Sequence, residues 1–418
     1  MEAAEEVERP EAATGPRAAL RLIGDRNFGP YFIGNAASAS GTWFQNLASA
    51  LLIYRLTHSA FLLGVLNFCN FLPVLLLAPW AGSAADRFDR RRLLLTTQLA
   101  SAALSGGLAV LAWGGLAGVW VVIAAAACLG IASAFSSPAT QALIGELVPR
   151  RDLASAVGLN SMTYNLARAV GPALAGLSVH LLGIPASFAI NAASYLLLVV
   201  GLLVVHPAPR RLAARGEARL RDSLRLVRER PRLLGFLLIV SAVGFASDPV
   251  NTEAPAFARA FGVPADHVDT RSGFIVGAFG VGAVLAAFAL TGRVAGSRRR
   301  MLLTLTLLGC GVVAFSLVPW LWLGYVSVAL AGVGYLASNV SATSRLQLEV
   351  PEHQRGRILA LWSVAFLGLR PLASLADGTI AGLFGVRAAG VCLALPALVC
   401  AAAVLAVARR NPMRLRRA

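Results

Sequence analysis

The stretch Pro149-Arg-Arg-Asp-Leu-Ala-Ser-Ala-Val-Gly-Leu-Asn-Ser-Met-Thr-Tyr-Asn-Leu-Ala-Arg168-Ala-Val-Gly171-Pro172-Ala-Leu-Ala-Gly176 decides how the chain is read. Apart from Arg168 it has the composition of a membrane-spanning helix. A helix starting near Ser155 carries Arg168 roughly 20 Å inward at ~1.5 Å per residue, too deep for the side chain to reach back to the surface it came from. A charge at that depth marks a functional position. The construction returns in the second half of the chain, where Pro149 maps to Pro351, Arg168 to Arg370 and Gly176 to Gly378. One unit has been used twice.

The whole composition agrees with a bilayer. The 418 residues are 57% hydrophobic and 14% charged, with a mean hydropathy of +0.70, outside the range of soluble domains. Apolar runs long enough for ~30 Å of hydrocarbon occur at Gly29–Tyr54, Ala60–Ala84, Leu93–Trp113, Val119–Val148, Ser155–Leu182 and Ala186–Val205. Six more follow at Leu233–Phe257, Ser272–Thr291, Met301–Val318, Leu321–Leu348, Ile358–Phe384 and Ala388–Val407. The reading is an all-α membrane protein of twelve transmembrane helices in two pseudo-symmetric six-helix bundles. It divides into an N-terminal tail (1–27), a first bundle (28–206), a basic linker (207–232), a second bundle (233–408) and a basic C-terminal tail (409–418).

A net charge of +17 invites a nucleic-acid reading until the arginines are placed. Arg55, Arg259, Arg271 and Arg387 fall on one set of loops, and Arg168, Arg345 and Arg370 lie within spans; every other arginine is in the termini or the opposite loops. This is the positive-inside pattern, which puts both termini in the cytoplasm and excludes nucleic acid as the meaning of the charge. The acidic start Met1-Glu-Ala-Ala-Glu-Glu lacks the order of a cleavable signal. The chain contains no lysine, so the Walker-A lysine of a nucleotide-driven pump is missing. All five cysteines (Cys69, Cys128, Cys310, Cys392, Cys400) lie in apolar spans, and neither they nor the histidines form a convincing metal pair. No cofactor is expected, and no nucleophile–base constellation of an enzyme emerges. In the linker, Leu220, Leu224 and Val227 among arginines suit either a basic surface helix on anionic lipid or a solvated loop.

Polar residues inside the spans mark candidate sites. Asn35, Ser38, Thr42, Gln45, Asn46 and Ser49 follow steps of three and four on span 1, which places them on one helix face expected to line a cavity. The alternative is that they join span 1 to a neighbouring helix. Gln141 of span 4, Tyr164 of span 5 and Asn339 of span 10 are further lining candidates. Span 7 is expected to break at Ser247-Asp248-Pro249 and again at Glu253-Ala-Pro255, where each proline removes a backbone donor beside an acid. A carboxylate buried there either pairs with a cation or takes up a proton. Asp248, Glu253, Asp377, Arg168 and Arg370 are therefore the candidates for proton coupling. Gly171, Pro172 and Gly176 give span 5 a locally weakened, closely packed segment suited to a bending gate.

The loop Gly82-Ser-Ala-Ala-Asp86-Arg87-Phe-Asp89-Arg90-Arg91-Arg92 between spans 2 and 3 resembles the signature loop of the major facilitator superfamily. The form Asp-Arg-Phe-Asp-Arg-Arg, with Asp89 where the signature usually has glycine, is similar to the branch of bacterial enterobactin exporters. So is the end of span 4, Ser136-Ser-Pro138-Ala-Thr140-Gln141 through Glu146. Arg168 through Gly176 is similar to a glycine-proline motif of exporters and antiporters. The resemblance covers nearly the whole chain. It implies that spans 1, 4, 7 and 10 line a central cavity while spans 2, 5, 8 and 11 form a rocking interface. Gly82 is expected to permit close helix approach, Asp86 to face the N-terminus of another helix, and Arg90 to pair with Glu146. The arginine that drug antiporters carry on span 4 is replaced here by Ala126, so that mechanism does not carry over whole. The function implied is proton-coupled export of a small amphipathic or anionic molecule, a siderophore, antibiotic or other secondary metabolite, across a bacterial cytoplasmic membrane. A facilitator or importer of a small solute, or a lipid flippase, is the alternative.

Overall fold

The computed structural model describes residues 16–149, 151–207, 227–290, 298–350, 358 and 361–410. The helical segment suggested for Leu220, Leu224 and Val227 lies almost wholly outside them, as does Pro351. A short α1 (Pro16–Ile23) precedes α2 (Phe28–Thr57), α3 (Ala60–Arg87), α4 (Arg90–Trp113), α5 (Val119–Leu147), α6 (Leu153–Leu182) and α7 (Ile184–Val204). Then come α8 (Pro231–Thr252), α9 (Ala254–Ala260), α10 (Val268–Leu290), α11 (Arg298–Leu317), α12 (Leu321–Leu348), α13 (Arg370–Phe384) and α14 (Val386–Arg410). Among the described residues, ten helices are long and apolar enough to cross a membrane. The long helices α2 and α6 are more polar, for they carry the Asn35–Ser49 stripe and Arg168.

Local chemistry sets the boundaries. Ser59 accepts the Leu62 N–H at the start of α3, and Asp89 accepts the Arg92 N–H at 2.7 Å at the start of α4. Asp89 is thus the N-cap of α4, a role worth ~1 kcal/mol, which gives a physical reason for an aspartate at that loop position. Arg91 donates to the Leu202 and Leu203 carbonyls at the end of α7, where the last turn has no intrahelical donors. Gly183 and Gly385, at repeat-related turns, have φ of 84° and 87°, a left-handed region open to glycine at little cost.

Helices α2 to α7 pack among themselves, with α2 on α6 and α7, α3 on α5, and α4 on α5 and α7. In the second set α10 and α11 pack on α12, and α8 and α11 on α14. The sets meet through α6 against α10 and α3 against α13. Both contacts are built on glycine: a Cβ on Gly176 would lie 3.0 Å from Gly273 Cα, and one on Gly378 2.8 Å from Gly64 Cα. Gly64 and Gly273 are near the starts of their helices and Gly176 and Gly378 near the ends, so all four gather at one end of the molecule. Arg55, at the end of α2, makes an ion pair with the buried Asp269 of α10 at that same end. Away from these contacts the helices expose Leu196, Val200, Leu203, Leu285 and Phe288, an apolar outer surface that suits lipid.

Candidate transport site

Arg168 lies about four turns from the end of α6, near mid-helix, and is 8% exposed. Its Nη1 donates to the Tyr335 hydroxyl of α12 at 2.5 Å. The guanidinium sits 4.4 Å from the Tyr335 ring centroid, 5.6 Å from Phe279 of α10 and 5.8 Å from Trp43 of α2. Gly171, one turn on from Arg168, lets α2 approach: a Cβ there would lie 2.9 Å from Trp43 Cβ. Two rings and the hydroxyl therefore come from the opposite set of helices, and one ring from its own. Three cation–π contacts at ~0.5–2 kcal/mol each are together of the same size as the ~2.5–3.5 kcal/mol cost of inserting an arginine mid-membrane. Stacking holds the cation without neutralising it. Nε is buried and has no hydrogen-bond partner, a cost of ~1–3 kcal/mol or more for a charged group.

Arg370 occupies the repeat-related place on α13 and has different surroundings. Its guanidinium stacks 4.3 Å from the Phe71 ring of α3, and its field reaches Asp248 of α8. Asp248 is 1% exposed; it accepts from Ser374 and Thr252, each at 3.0 Å. Glu253 and Asp377 are wholly buried, and none of their four carboxylate oxygens has a hydrogen-bond partner among the described residues. The three acids lie close enough to act on one another electrostatically. They form one acidic group toward the end of the molecule that the glycine contacts close.

The backbone around this group is irregular. Of the two expected breaks in span 7, one is absent: α8 continues through Pro249 to Thr252, and the interruption comes at Glu253, with Pro255 in the first turn of α9. Proline is accommodated at position 249 within one uninterrupted helix, a known exception in membrane spans. Upstream of Arg370 the helix widens into a π turn over Val364–Gly368. Pro371 has no N–H to offer the preceding turn, and Ser241 of α8 donates to the Ala365 carbonyl at 3.1 Å.

The polar stripe of α2 divides. Ser38 and Gln45 are buried against α4 and α7: Ser38 faces Gln98 at 3.5 Å, and Gln45 accepts from Ser105 at 2.6 Å and Asn191 at 2.7 Å. Thr42 reaches Tyr195 of α7, and Asn35 donates to Asn160 of α6 at 2.7 Å. These contacts join α2 to three neighbours, with Ser38 and Gln45 buried while Asn35 and Thr42 stay half-buried. Asn46 stays half-buried, Gln141 and Tyr164 are exposed, and half-buried Asn339 accepts from Thr343.

At the opposite end, Arg90 donates to Glu146 at 2.5 Å, joining α4 to α5. Gly82 and Asp86 depart from expectation. A Cβ on Gly82 would meet nothing within 4 Å, and Asp86 is exposed with no hydrogen-bond partner among the described residues. Neither makes the contact expected of it, although Ala84 and Ala85 of the same turn are buried, because Gly82 and Asp86 fall on the other face of α3. Pro172 lies within the continuous α6.

Sequence reasoning missed Trp43, Phe279 and Tyr335 around Arg168, and the pair Arg55–Asp269. Depth held part of the signal: Trp43, Arg168 and Tyr335 all lie about four turns from the same end of their helices.

Residues 19–415 match the family model described as transmembrane secretion effector, MFS_3, and the chain belongs to that family of major facilitator transporters. It is 26% identical over 362 residues to the staphyloferrin A transporter of Staphylococcus aureus (strain NCTC 8325 / PS 47), covering 83% of this chain and 87% of that one. It is 22% identical over 367 residues to macrolide efflux protein A of Streptococcus pyogenes, covering 85% and 89%. It is 26% identical over 377 residues to the multidrug efflux pump Tap of Mycolicibacterium fortuitum, covering 87% and 91%. Among solved structures, a bacterial homolog to the human lysosomal transporter Spinster, inward-facing and occupied, superposes with a TM-score of 0.74 at 14% identity over 95% of this chain and 98% of that one. A D-xylose-proton symporter gives 0.69 at 16% identity over 88% and 97%. These likenesses establish the fold.

Proposed function

We propose that this chain is a secondary exporter of small amphipathic or anionic molecules in the cytoplasmic membrane, with twelve spans, both termini cytoplasmic, and proton-driven alternating access. One observation carries the reading most directly: three buried carboxylates, two of them unpartnered, share an interface between α8 and α13 with a single nearby guanidinium. Three acids so placed do not all remain ionised, so the group holds a mobile proton. Two of the named relatives, macrolide efflux protein A and the multidrug efflux pump Tap, support the export direction.

The cycle follows from the two ends. With the halves joined at Arg55–Asp269 and the glycine contacts, the Arg90–Glu146 end is the cytoplasmic mouth. Substrate enters there, the halves rock about α3–α13 and α6–α10, and the outer end opens. A proton arriving from outside on Asp248, Glu253 or Asp377 is released inward and resets the carrier. Everted membrane vesicles supplied with a macrolide or staphyloferrin A test this. Uphill accumulation of one of them, lost on adding a protonophore, supports the reading; accumulation untouched by the protonophore contradicts proton drive, and flux that only equilibrates identifies a facilitator.

A further inference from the structure

We infer that Arg168 is the anchor for a carboxylate on the transported molecule, held inside an aromatic collar of Trp43, Phe279 and Tyr335. The inference rests on a transport path at mid-membrane and deepens the reading above by naming a substrate class; it is independent of direction and of energy coupling.

Three observations converge. The first is an unbalanced charge. Among the described residues no carboxylate lies within ion-pair distance of Arg168, whereas Arg55 and Arg90 each have an acid and Arg370 has Asp248 within its field. Rings stabilise a cation but leave its formal charge in place, and a buried charge is normally paired.

The second is unused hydrogen-bonding capacity. A guanidinium has five N–H donors in a fork that fits a carboxylate. Here Nη1 is spent on a neutral phenol, and Nε, buried with the side chain, has no partner. A proton-coupling role for Arg168 gives no account of that donor, since arginine stays protonated.

The third is the approach. Asn160, Tyr164 and Arg168 follow one face of α6 from its start, and Thr343, Asn339 and Tyr335 descend one face of α12 from its end. The two stripes belong to opposite halves and converge where Arg168 meets Tyr335. Tyr164, one turn before Arg168, is 53% exposed, so this face of α6 is uncovered within one turn of the collar. A molecule with an apolar or aromatic body and one carboxylate fits this end point: the body meets ring faces and edges, and the carboxylate takes the free donors in place of water.

Equilibrium binding of 1-naphthoate and its neutral isostere 1-naphthamide, to the purified full chain in nanodiscs without any gradient, tests the inference. Wild type is expected to bind the acid about ten-fold or more tightly than the amide, the worth of one charge-assisted pair. Arg168→Gln should bring the two within about two-fold while amide binding persists, and Arg168→Lys should restore part of the preference. A preference that survives Arg168→Gln, or a wild-type protein that binds the two alike or binds neither, overturns the assignment. Because no transport is measured, a failure of export or of proton coupling elsewhere does not decide this outcome.

Discussion

Arg168 and Arg370 occupy the same place in a repeated unit, each about four turns from the end of its helix, yet their surroundings differ in kind. Arg168 is surrounded by rings, with no acid within ion-pair distance among the described residues; Arg370 stacks on one ring and faces an acidic group. The repeat therefore fixes geometry and leaves chemistry free. Glycine contacts and turn glycines are duplicated, because both halves must pack alike. The ionisable partners are not duplicated, as the proposed separation of substrate binding from proton movement requires. One half buries a cation among rings, and the other holds carboxylates.

The largest effect is expected on the acidic side. Asp248→Asn should lower gradient-driven accumulation by well over ten-fold while leaving downhill flux of the same molecule measurable, a split that a folding defect would not produce. On the cationic side, Arg168→Ala should reduce flux of an anionic molecule by about ten-fold or more, on the ~1.5–3 kcal/mol scale of a charged hydrogen bond, and spare a neutral one. If both substitutions damaged both substrates equally, the division between the halves would be lost.

Symmetric features should respond symmetrically. Gly176→Leu and Gly378→Leu each force a side chain into a backbone contact between the halves. Both should block transport with membrane insertion retained, and cysteine cross-linking at the outer end should report a changed conformational balance. Arg55→Ala removes the ion pair to Asp269 and leaves that acid buried; outer-end accessibility to a thiol reagent should rise several-fold. The smallest expected effect is Asp89→Ala, where loss of the α4 cap should cost ~1 kcal/mol, read as a modest drop in thermal midpoint with transport preserved.

Much of the fold was legible because lipid imposes simple rules: long apolar runs, arginines on one side, and a repeated proline, arginine and glycine spacing. Arg90–Glu146 was legible too, since both residues end spans at the same surface. The direction of Ser38 and Gln45 was not. Periodicity tells which residues share a helix face, but a face buried by neighbouring helices reads like one that lines a cavity. Pro249 misled for a related reason: proline weakens a helix, while packing on all sides holds it. Gly82 and Asp86 carry a familiar motif, but which face of the last turns of α3 is covered depends on packing, and Ala84 and Ala85 take the buried face. The collar around Arg168 comes from three other helices, and only three-dimensional packing brings them together.

The central claim is that the acidic group carries a proton against the substrate. Proteoliposomes with weakly buffered interiors and an internal pH dye, given a transported molecule, measure it directly. The account predicts a proton movement opposite to substrate flux in wild type, absent in a variant combining Asp248→Asn, Glu253→Gln and Asp377→Asn that still exchanges substrate. Substrate flux in wild type with no accompanying change in internal pH would contradict it.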